Sequence, residues 1–158
     1  MPNKPLRIYW DACCFLAILN KEPEASKCID ILNEAKAGLI EIWISPLTMA
    51  ETVRPKGSPS PLAEVHRHAV LDFFDNDYIK FIQIGMEISR DSLSICWEHN
   101  IHARDAIHLA SARAAGCEYL ESKDGAFIER VANCKDISVR RPTGRGDLPL
   151  LESTENTP

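Results

Sequence analysis

The stretch LRIYWD at residues 6–11 decides the class of fold. Apart from Arg7 its first five residues are apolar or aromatic, which is typical of a short β-strand, and the run ends at Asp11. Apolar residues then recur at helical spacing over residues 12–19. A strand that passes directly into a helix predicts a strand–helix–strand unit, in which consecutive strands pair in parallel.

The same alternation continues along the rest of the chain. Gly38 favours the end of a helix, and the pair Ser45-Pro46 favours the start of the next one directly after a strand. The sequence PKGSPSP at residues 55–61 is the one clear internal loop, and it is too short for a domain linker. We expect strands at residues 6–10, 39–44, 79–84, 118–121 and 137–139, and helices at residues 12–19, 23–38, 46–54, 61–74, 86–99, 103–115 and 124–131.

This order predicts an α/β domain over residues 5–141. Right-handed crossovers would place helices on both faces of a mostly parallel central sheet, giving three layers, α/β/α. The length of 158 residues also favours a single domain. Residues 142–158 are rich in Pro, Gly, Thr and Glu, and we expect this tail to be mobile or to dock on a partner.

Composition excludes several classes of protein. Apolar residues make up 45% and charged residues 26%, which excludes a disordered or fibrous chain. The sequence has no apolar run of about 18–20 residues and no signal-peptide pattern, so we expect a cytoplasmic protein without a membrane span. The six cysteines lack the spacing of a zinc site and are interpreted as small core residues. The net charge of −5 does not favour nucleic-acid binding on charge alone.

Four acidic residues occur at or near predicted strand-to-helix junctions: Asp11, Glu51, Asp105 and Asp124. Each alone has an ordinary explanation, because an aspartate often caps a helix and a glutamate is a good helix former. In a parallel sheet, however, such junctions meet beyond the carboxyl ends of the strands. We therefore expect these four side chains to converge at one edge of the sheet.

The segments that contain these acids resemble the four motifs of PIN-domain nucleases in order and spacing. The resemblance runs from Arg7 to Val139, and its most specific part is RDAIHLASA at residues 104–112. The other three segments are WDACCFL at residues 10–16, SPLTMAE at residues 45–51 and SKDGAF at residues 122–127.

The resemblance implies a metal-dependent endoribonuclease that hydrolyses RNA phosphodiester bonds, most like the toxin half of VapC-type toxin–antitoxin pairs. It implies that the four acids are catalytic and bind one or two Mg²⁺ or Mn²⁺ ions, which prefer hard oxygen ligands. Without cations, carboxylates about 5 Å apart repel by about 3 kcal/mol at an effective dielectric near 20. Without the four acids the net charge of −5 becomes −1, so the remaining surface does not exclude RNA.

Polar residues beside the acids receive supporting roles in the same interpretation. Ser122 is expected to orient a carboxylate at the metal site. Arg54, Lys56, Arg104 and Lys123 lie close in sequence to the acids and are candidates to bind phosphates, with surface salt bridges as the alternative explanation. The resemblance further implies an RNA substrate, a cognate antitoxin protein and a homodimer.

Some residues near the motifs have less specific interpretations. Cys13 stands where the family often has a small hydroxyl or apolar residue, and Ser122 where it often has threonine. His108 follows Asp105 by one helical turn, but hydrogen bonding within the helix packing is favoured over a role as a base. The three tryptophans are able to stack on bases, but two of them lie in strand runs, which favours packing in the core: Trp10, Trp43 and Trp97.

Two other functions agree less well with the sequence. A catalytically silent PIN-like module for RNA binding or regulation is disfavoured because it need not keep four mutually repelling acids. A phosphoaspartate hydrolase on a similar sheet would need a second aspartate two residues after Asp11, where this chain has Cys13. The sequence therefore favours the nuclease.

Overall fold

The computed structural model describes residues 4–146 and forms the predicted α/β architecture around a five-stranded sheet. The strands are β1 (Leu6–Trp10), β2 (Ile40–Ile44), β3 (Ile79–Phe81), β4 (Tyr119–Glu121) and β5 (Ser138–Arg140). The helices are α1 (Ala12–Leu19), α2 (Ala25–Lys36), α3 (Pro46–Val53), α4 (Arg67–Phe74), α5 (Met86–His99), α6 (Ala103–Ala114) and α7 (Gly125–Arg130).

All neighbouring strands pair in parallel, in the order β3-β2-β1-β4-β5. The chain therefore moves outward from β1 to β3 on one side of the sheet, and then continues with β4 and β5 on the other side. This reversal makes the gap between β1 and β4 a topological switch point, where ligands of open α/β sheets bind beyond the carboxyl ends of the strands. Asp11 directly follows β1, and Asp124 follows β4 by three residues.

Two hydrophobic cores cover the two faces of the sheet, as the three-layer prediction requires. Alternating residues of β1 enter different cores, because successive strand residues point to opposite faces. Ile8 and Trp10 pack with α1 and α2, whereas Tyr9 packs with α5, α6 and α7. Three alanines of α6, Ala106, Ala110 and Ala112, are buried and allow this helix to lie close to its neighbours.

The structure differs from the predicted elements in one long segment and at the ends of strands. The helix predicted over residues 61–74 begins only at Arg67, after a 3₁₀ turn at Glu64–His66. The prolines that precede this turn fix φ and lack the N–H that a helix interior needs, so they delay the helix. The strand predicted over residues 79–84 ends at Phe81.

The start of the predicted tail packs on the domain. The backbone N–H groups of Thr143 and Gly144 donate to Oε2 of Glu121, at 2.7 and 2.9 Å, and that of Arg145 donates to Glu34. Glu121 is fully buried and also accepts hydrogen bonds from Trp10 Nε1 and from Arg140. The remaining tail residues, 147–158, lie outside the described residues. None of the helices within residues 4–146 has the length and apolar character that a membrane span requires.

Candidate active site

A cavity of about 230 Å³ opens at the carboxyl edge of the sheet, and all four predicted acids line it. Asp11 comes from the end of β1, Glu51 from α3, Asp105 from the first turn of α6 and Asp124 from the turn after β4. Four segments that are distant in sequence thus place a carboxylate on one cavity, which is the convergence that helix capping does not predict.

Asp11 both caps α1 and lines the cavity. Its Oδ1 accepts hydrogen bonds from the backbone N–H of Cys13 at 3.1 Å and from the Cys13 thiol at 2.6 Å. The residue is only 8% exposed, and this burial raises the pKa of its carboxyl above the ordinary value. His108 and hydrogen bonds from Cys13 and Ser122 act in the opposite direction on that pKa. Asp11 is therefore a buried carboxylate beside a cavity, where a cation would stabilise its charged form.

Asp124 has the same double position at the start of α7. Its Oδ1 accepts from the backbone N–H groups of Ala126 and Phe127, at 3.1 and 3.2 Å. Within residues 4–146 its Oδ2 accepts no hydrogen bond. The fully buried Ser122 accepts a hydrogen bond from the Asp124 N–H at 3.1 Å, so it shapes the turn that presents this carboxylate.

Asp105 has no local structural task. The N-cap of α6 is His102, and the half-buried carboxylate of Asp105 has no hydrogen bond or ion pair within the described part of the chain. Burial raises the pKa of Asp105, and the negative charges of Asp124 and Asp11 raise it further. His108 and Lys56 act in the opposite direction on this pKa. The three aspartates are thus close enough to repel one another, and within residues 4–146 Asp105 has no hydrogen bond or ion pair of its own that would offset this repulsion.

Glu51 differs from the three aspartates because both of its oxygens have protein partners. Oε2 lies 3.0 Å from Nε2 of His108, and Oε1 lies 3.3 Å from the guanidinium of Arg104. Both partners belong to α6, whereas Glu51 belongs to α3. The carboxylate of Glu51 is therefore held at the cavity by donors on the facing helix.

Two of the four predicted phosphate-binding residues lie at the cavity. Lys56 and Arg104 line it. Arg54 instead donates to the carbonyl of Pro59 within its own loop and is not among the lining residues. Lys123 is also absent from the lining, because its ammonium pairs with Glu22 and Glu24 before α2. Of the four candidates, Lys56 and Arg104 therefore bring positive charge to the cavity, and Arg130 lines an adjoining cavity together with Asp105 and Asp124.

The cysteines divide into core residues and one cavity residue. Cys14, Cys28 and Cys117 are buried, as predicted, and all six cysteines have free thiols. Cys13 lines the cavity, and its sulfur accepts a hydrogen bond from the backbone N–H of Lys123 at 3.0 Å. Ligand atoms of Asp11, Cys13 and Cys14 lie within 4.8 Å of one another, but the fully buried Cys14 thiol donates to the carbonyl of Glu121. The thiols thus support the Asp11 turn, and the cavity offers mainly carboxylate oxygens.

This donor set fits a hard divalent cation. The four carboxylates line one cavity, that of Asp105 has no protein partner within residues 4–146, and the mutual repulsion is visible in its raised pKa. Mg²⁺ and Mn²⁺ prefer oxygen ligands and keep some of their water, which a cavity of this size accommodates. Asp11, Asp105 and Asp124 are the candidates to hold such an ion, although within residues 4–146 their ligand atoms do not lie within 4.8 Å of one another as those of Asp11, Cys13 and Cys14 do.

The sequence does not reveal the contacts of His108, which lines the cavity, or of Tyr9, which is buried behind it. His108 is 1% exposed and reaches across from α6 to Glu51 and to the hydroxyl of Tyr9. Its position three residues after Asp105 placed it on the same side of the helix, which was the available signal. Nothing in the sequence distinguished Tyr9 from other buried strand residues. Trp10 and Trp43 hydrogen-bond to Glu121 and Glu41 in the sheet, whereas Trp97 is 83% exposed on α5.

Comparisons with known proteins agree with this fold. A toxin–antitoxin complex from Klebsiella pneumoniae matches with a TM-score of 0.59 and 18% identity, over 82% of this chain and 94% of its own. VapBC2 from Rickettsia felis, bound to a DNA fragment from their promoter, matches with a TM-score of 0.62 and 15% identity, over 86% of this chain and 98% of its own. Mycobacterium tuberculosis VapC20, a sarcin–ricin loop cleaving toxin, matches with a TM-score of 0.58 and 16% identity, over 76% of this chain and 92% of its own. At these identities the likeness shows a common fold.

A comparison with protein-family models identifies the family to which the chain belongs. None of the curated proteins matches the sequence. The model of the PIN domain matches residues 8–133, which include all four motifs and every acid of the cavity. The resemblance noted in the sequence is thereby confirmed, and the chain belongs to the PIN domain family.

Proposed function

We propose that this protein is an endoribonuclease that requires Mg²⁺ or Mn²⁺ and hydrolyses phosphodiester bonds of RNA. The observation that carries the proposal is the convergence of Asp11, Glu51, Asp105 and Asp124 on one cavity, together with the carboxylate of Asp105, which has no hydrogen bond or ion pair within residues 4–146. A silent binding module has no use for carboxylates that raise one another's pKa values, as Asp11 and Asp124 raise that of Asp105.

In this mechanism Asp11, Asp105 and Asp124 hold one or two cations, with Glu51 as a further ligand or acting through water. When bound there, Mg²⁺ or Mn²⁺ would supply Lewis-acid chemistry for attack by water and for loss of the 3′ oxygen. The chain's own residues orient the reaction. Asp11 and Asp124 each use Oδ1 for a helix cap, which fixes the direction of the carboxylate.

The basic residues of the cavity would bind the substrate. Lys56 is exposed at the rim and Arg104 lies beside Glu51, so both are placed to contact phosphate oxygens. In-line attack on phosphorus with loss of the 3′ oxygen leaves 5′-phosphate and 3′-hydroxyl ends. Because the net charge is −5, these local contacts, and not long-range attraction, would provide the affinity for RNA.

The experiment compares wild type with Asp105→Asn on single-stranded RNA in Mn²⁺ and in EDTA. We expect wild type to cleave only with metal and Asp105→Asn to lose cleavage while its circular dichroism spectrum is unchanged. Asp30→Asn, the same chemical change on the exposed side of α2, is the matched control and should cleave normally. Equal cleavage by all three proteins would refute the site, and a silent wild type that still binds RNA would support the module instead.

We further propose that the protein is the toxin of a type II toxin–antitoxin pair and acts in the cytoplasm. The support is the likeness of its fold to a toxin–antitoxin complex and to VapBC2. The test is whether the neighbouring open reading frame encodes a small protein that co-purifies with this chain and suppresses its RNA cleavage. If the protein encoded by the neighbouring reading frame neither binds this chain nor inhibits its RNA cleavage, the chain would be a nuclease without an antitoxin.

For the homodimer we propose the outer face of α5. Met86, Leu93 and Trp97 are exposed apolar residues spaced by seven and four positions, so they form one stripe along the helix. Arg90 and Glu98 are exposed on the same helix, eight residues apart. An antiparallel pair of α5 helices around a two-fold axis beside residue 94 would therefore place Arg90 of each copy opposite Glu98 of the other.

A further inference from the structure

A line of hydrogen bonds below the cavity joins three elements of the fold. The hydroxyl of Tyr9, the fourth of the five residues of β1, lies 2.8 Å from Nδ1 of His108 on α6. Nε2 of the same ring lies 3.0 Å from Oε2 of Glu51 on α3, and Oε1 of Glu51 lies 3.3 Å from Arg104. Tyr9 is completely buried and His108 is almost so, which makes this a fixed internal connection that ends at the cavity.

The partners determine how the ring is oriented and which of its nitrogens donates to Glu51. A carboxylate only accepts hydrogen bonds, so Nε2 of His108 must donate to Glu51. In the neutral ring Nδ1 then accepts, and its donor is the hydroxyl of Tyr9, which keeps its proton because burial raises the pKa of that phenol. The Ser45 hydroxyl lies 2.8 Å from the Tyr9 oxygen and can donate to it. Every polar atom of the ring therefore has a partner.

This arrangement differs from a histidine that only fills the core. In that case both ring nitrogens would be satisfied by backbone groups or by side chains away from the cavity. Here Nε2 of His108 contacts Glu51, which lines the cavity, while Nδ1 is hydrogen-bonded to the hydroxyl of Tyr9 on the central strand β1. Since α3 and α6 face one another across the site, the ring sets where the carboxylate of α3 lies relative to Asp105 of α6.

We propose that His108 is a positioning residue that, held by Tyr9, fixes the carboxylate of Glu51 at the metal-binding cavity. The inference rests on the proposed metal-dependent function and deepens it. In this proposal both residues act through Glu51, although His108 also lines the cavity. Partners of this kind, one shell away from a metal, typically change metal affinity by about 10- to 100-fold when they are removed.

Two substitutions separate the two nitrogens of the ring. In His108→Gln the side-chain amide can donate from the place of Nε2 and keep the contact with Glu51. In His108→Asn the shorter amide can replace only Nδ1, so it keeps the contact with Tyr9 and loses Glu51. Isothermal titration with Mn²⁺ should give His108→Asn a dissociation constant about 10-fold or more above wild type. His108→Gln should lie closer to wild type than His108→Asn.

The metal-free melting temperature controls for a purely structural role. If His108 only packs the core, both variants should lower this temperature while the Mn²⁺ dissociation constant of the folded protein stays at the wild-type value, which would overturn the proposal. Tyr9→Phe is the second variant, for use if the His108 variants do not fold. It removes one oxygen from the far end of the line and should weaken Mn²⁺ binding in the same direction.

A double-mutant comparison tests whether His108 acts through Glu51. Adding His108→Asn to Glu51→Gln should weaken Mn²⁺ binding no further than Glu51→Gln alone, whereas independent effects would multiply and refute the mechanism. Asp105→Asn separates this inference from the proposed function. If Asp105→Asn binds Mn²⁺ like wild type, the metal site itself is wrong. If Asp105→Asn loses binding and His108→Asn does not, only the positioning role is wrong.

Discussion

Replacing Asp11 with asparagine should stabilise the metal-free protein and abolish its response to metal. Asparagine keeps an oxygen for the backbone N–H of Cys13 and is as good an N-cap as aspartate, so α1 loses nothing locally. The change removes a buried charge that raises the pKa of Asp105 and that burial itself disfavours. Two carboxylates about 5 Å apart repel by about 3 kcal/mol at an effective dielectric near 20, which is the upper limit of the gain per pair.

The response to metal has a magnitude that follows from linkage. A ligand present at about 100 times its dissociation constant stabilises the native state by about 2.7 kcal/mol. For a chain of 158 residues each kcal/mol moves the melting temperature by about 2–4 °C, so saturating Mn²⁺ should raise that of wild type by about 5–11 °C.

Differential scanning calorimetry with EDTA or Mn²⁺ measures both effects. Asp11→Asn should melt above wild type in EDTA and show almost no shift with Mn²⁺. Asp30→Asn, which removes an exposed charge from α2, should keep the full shift. An Asp11→Asn protein that melts lower in EDTA yet gains the full Mn²⁺ shift would show that Asp11 is a structural cap and nothing more.

Three further outcomes test other parts of the structure. Glu121→Gln should lower the free energy of unfolding by about 3 kcal/mol, because it leaves Arg140 without its buried partner; a change below about 1 kcal/mol in urea titrations would contradict this. In EDTA the raised pKa of Asp105 means that the native state holds this proton more tightly than the unfolded chain, so the stability it contributes is present below about pH 4 and lost as the pH rises through the folded pKa. Between pH 4 and pH 7 the melting temperature of wild type should therefore fall relative to that of Asp105→Asn. Parallel curves of melting temperature against pH would exclude this contribution of Asp105 to stability. Trp97→Arg should convert the dimer to a monomer in light scattering, while Val65→Arg, an equal change at an apolar residue that is 81% exposed outside α5, should not; a monomeric wild type would exclude the homodimer.

The sheet was predictable because its signals are local. β1 and β2 are short apolar runs that end at a helix-capping residue, Asp11 or Ser45, and such runs need no tertiary information to be recognised. Parallel pairing then follows from the helices between the strands. The start of α4 was not predictable to the residue, because Pro61 is compatible with the first turn of a helix and with an extended loop, and packing decides between them.

The basic residues show where proximity in sequence fails. Lys123 is adjacent to Asp124 as Arg104 is to Asp105, yet only Arg104 of these two lines the cavity. Arg54 is nearer to Glu51 in sequence than Lys56 is, yet Lys56 lines the cavity and Arg54 does not. A long side chain can reach several acceptors, and the ammonium of Lys123 pairs with Glu22 and Glu24, which precede α2. Which acceptor is closest depends on the path of the α1–α2 connection, and no local pattern encodes that path.

The acids show why two explanations that compete in the sequence can both hold in the structure. A carboxylate has two oxygens, and Asp124 uses Oδ1 for both of its N-cap hydrogen bonds to α7, while Oδ2 accepts nothing within residues 4–146. Capping thus fixes the χ angles of the side chain and aims the second oxygen, so it serves the cavity as well as the helix. Asp105 decides between the explanations, because it lines the same cavity without capping α6 or pairing with any described residue. Burial and the neighbouring charges of Asp124 and Asp11 disfavour its charged form, and a cation in the cavity would reverse that preference.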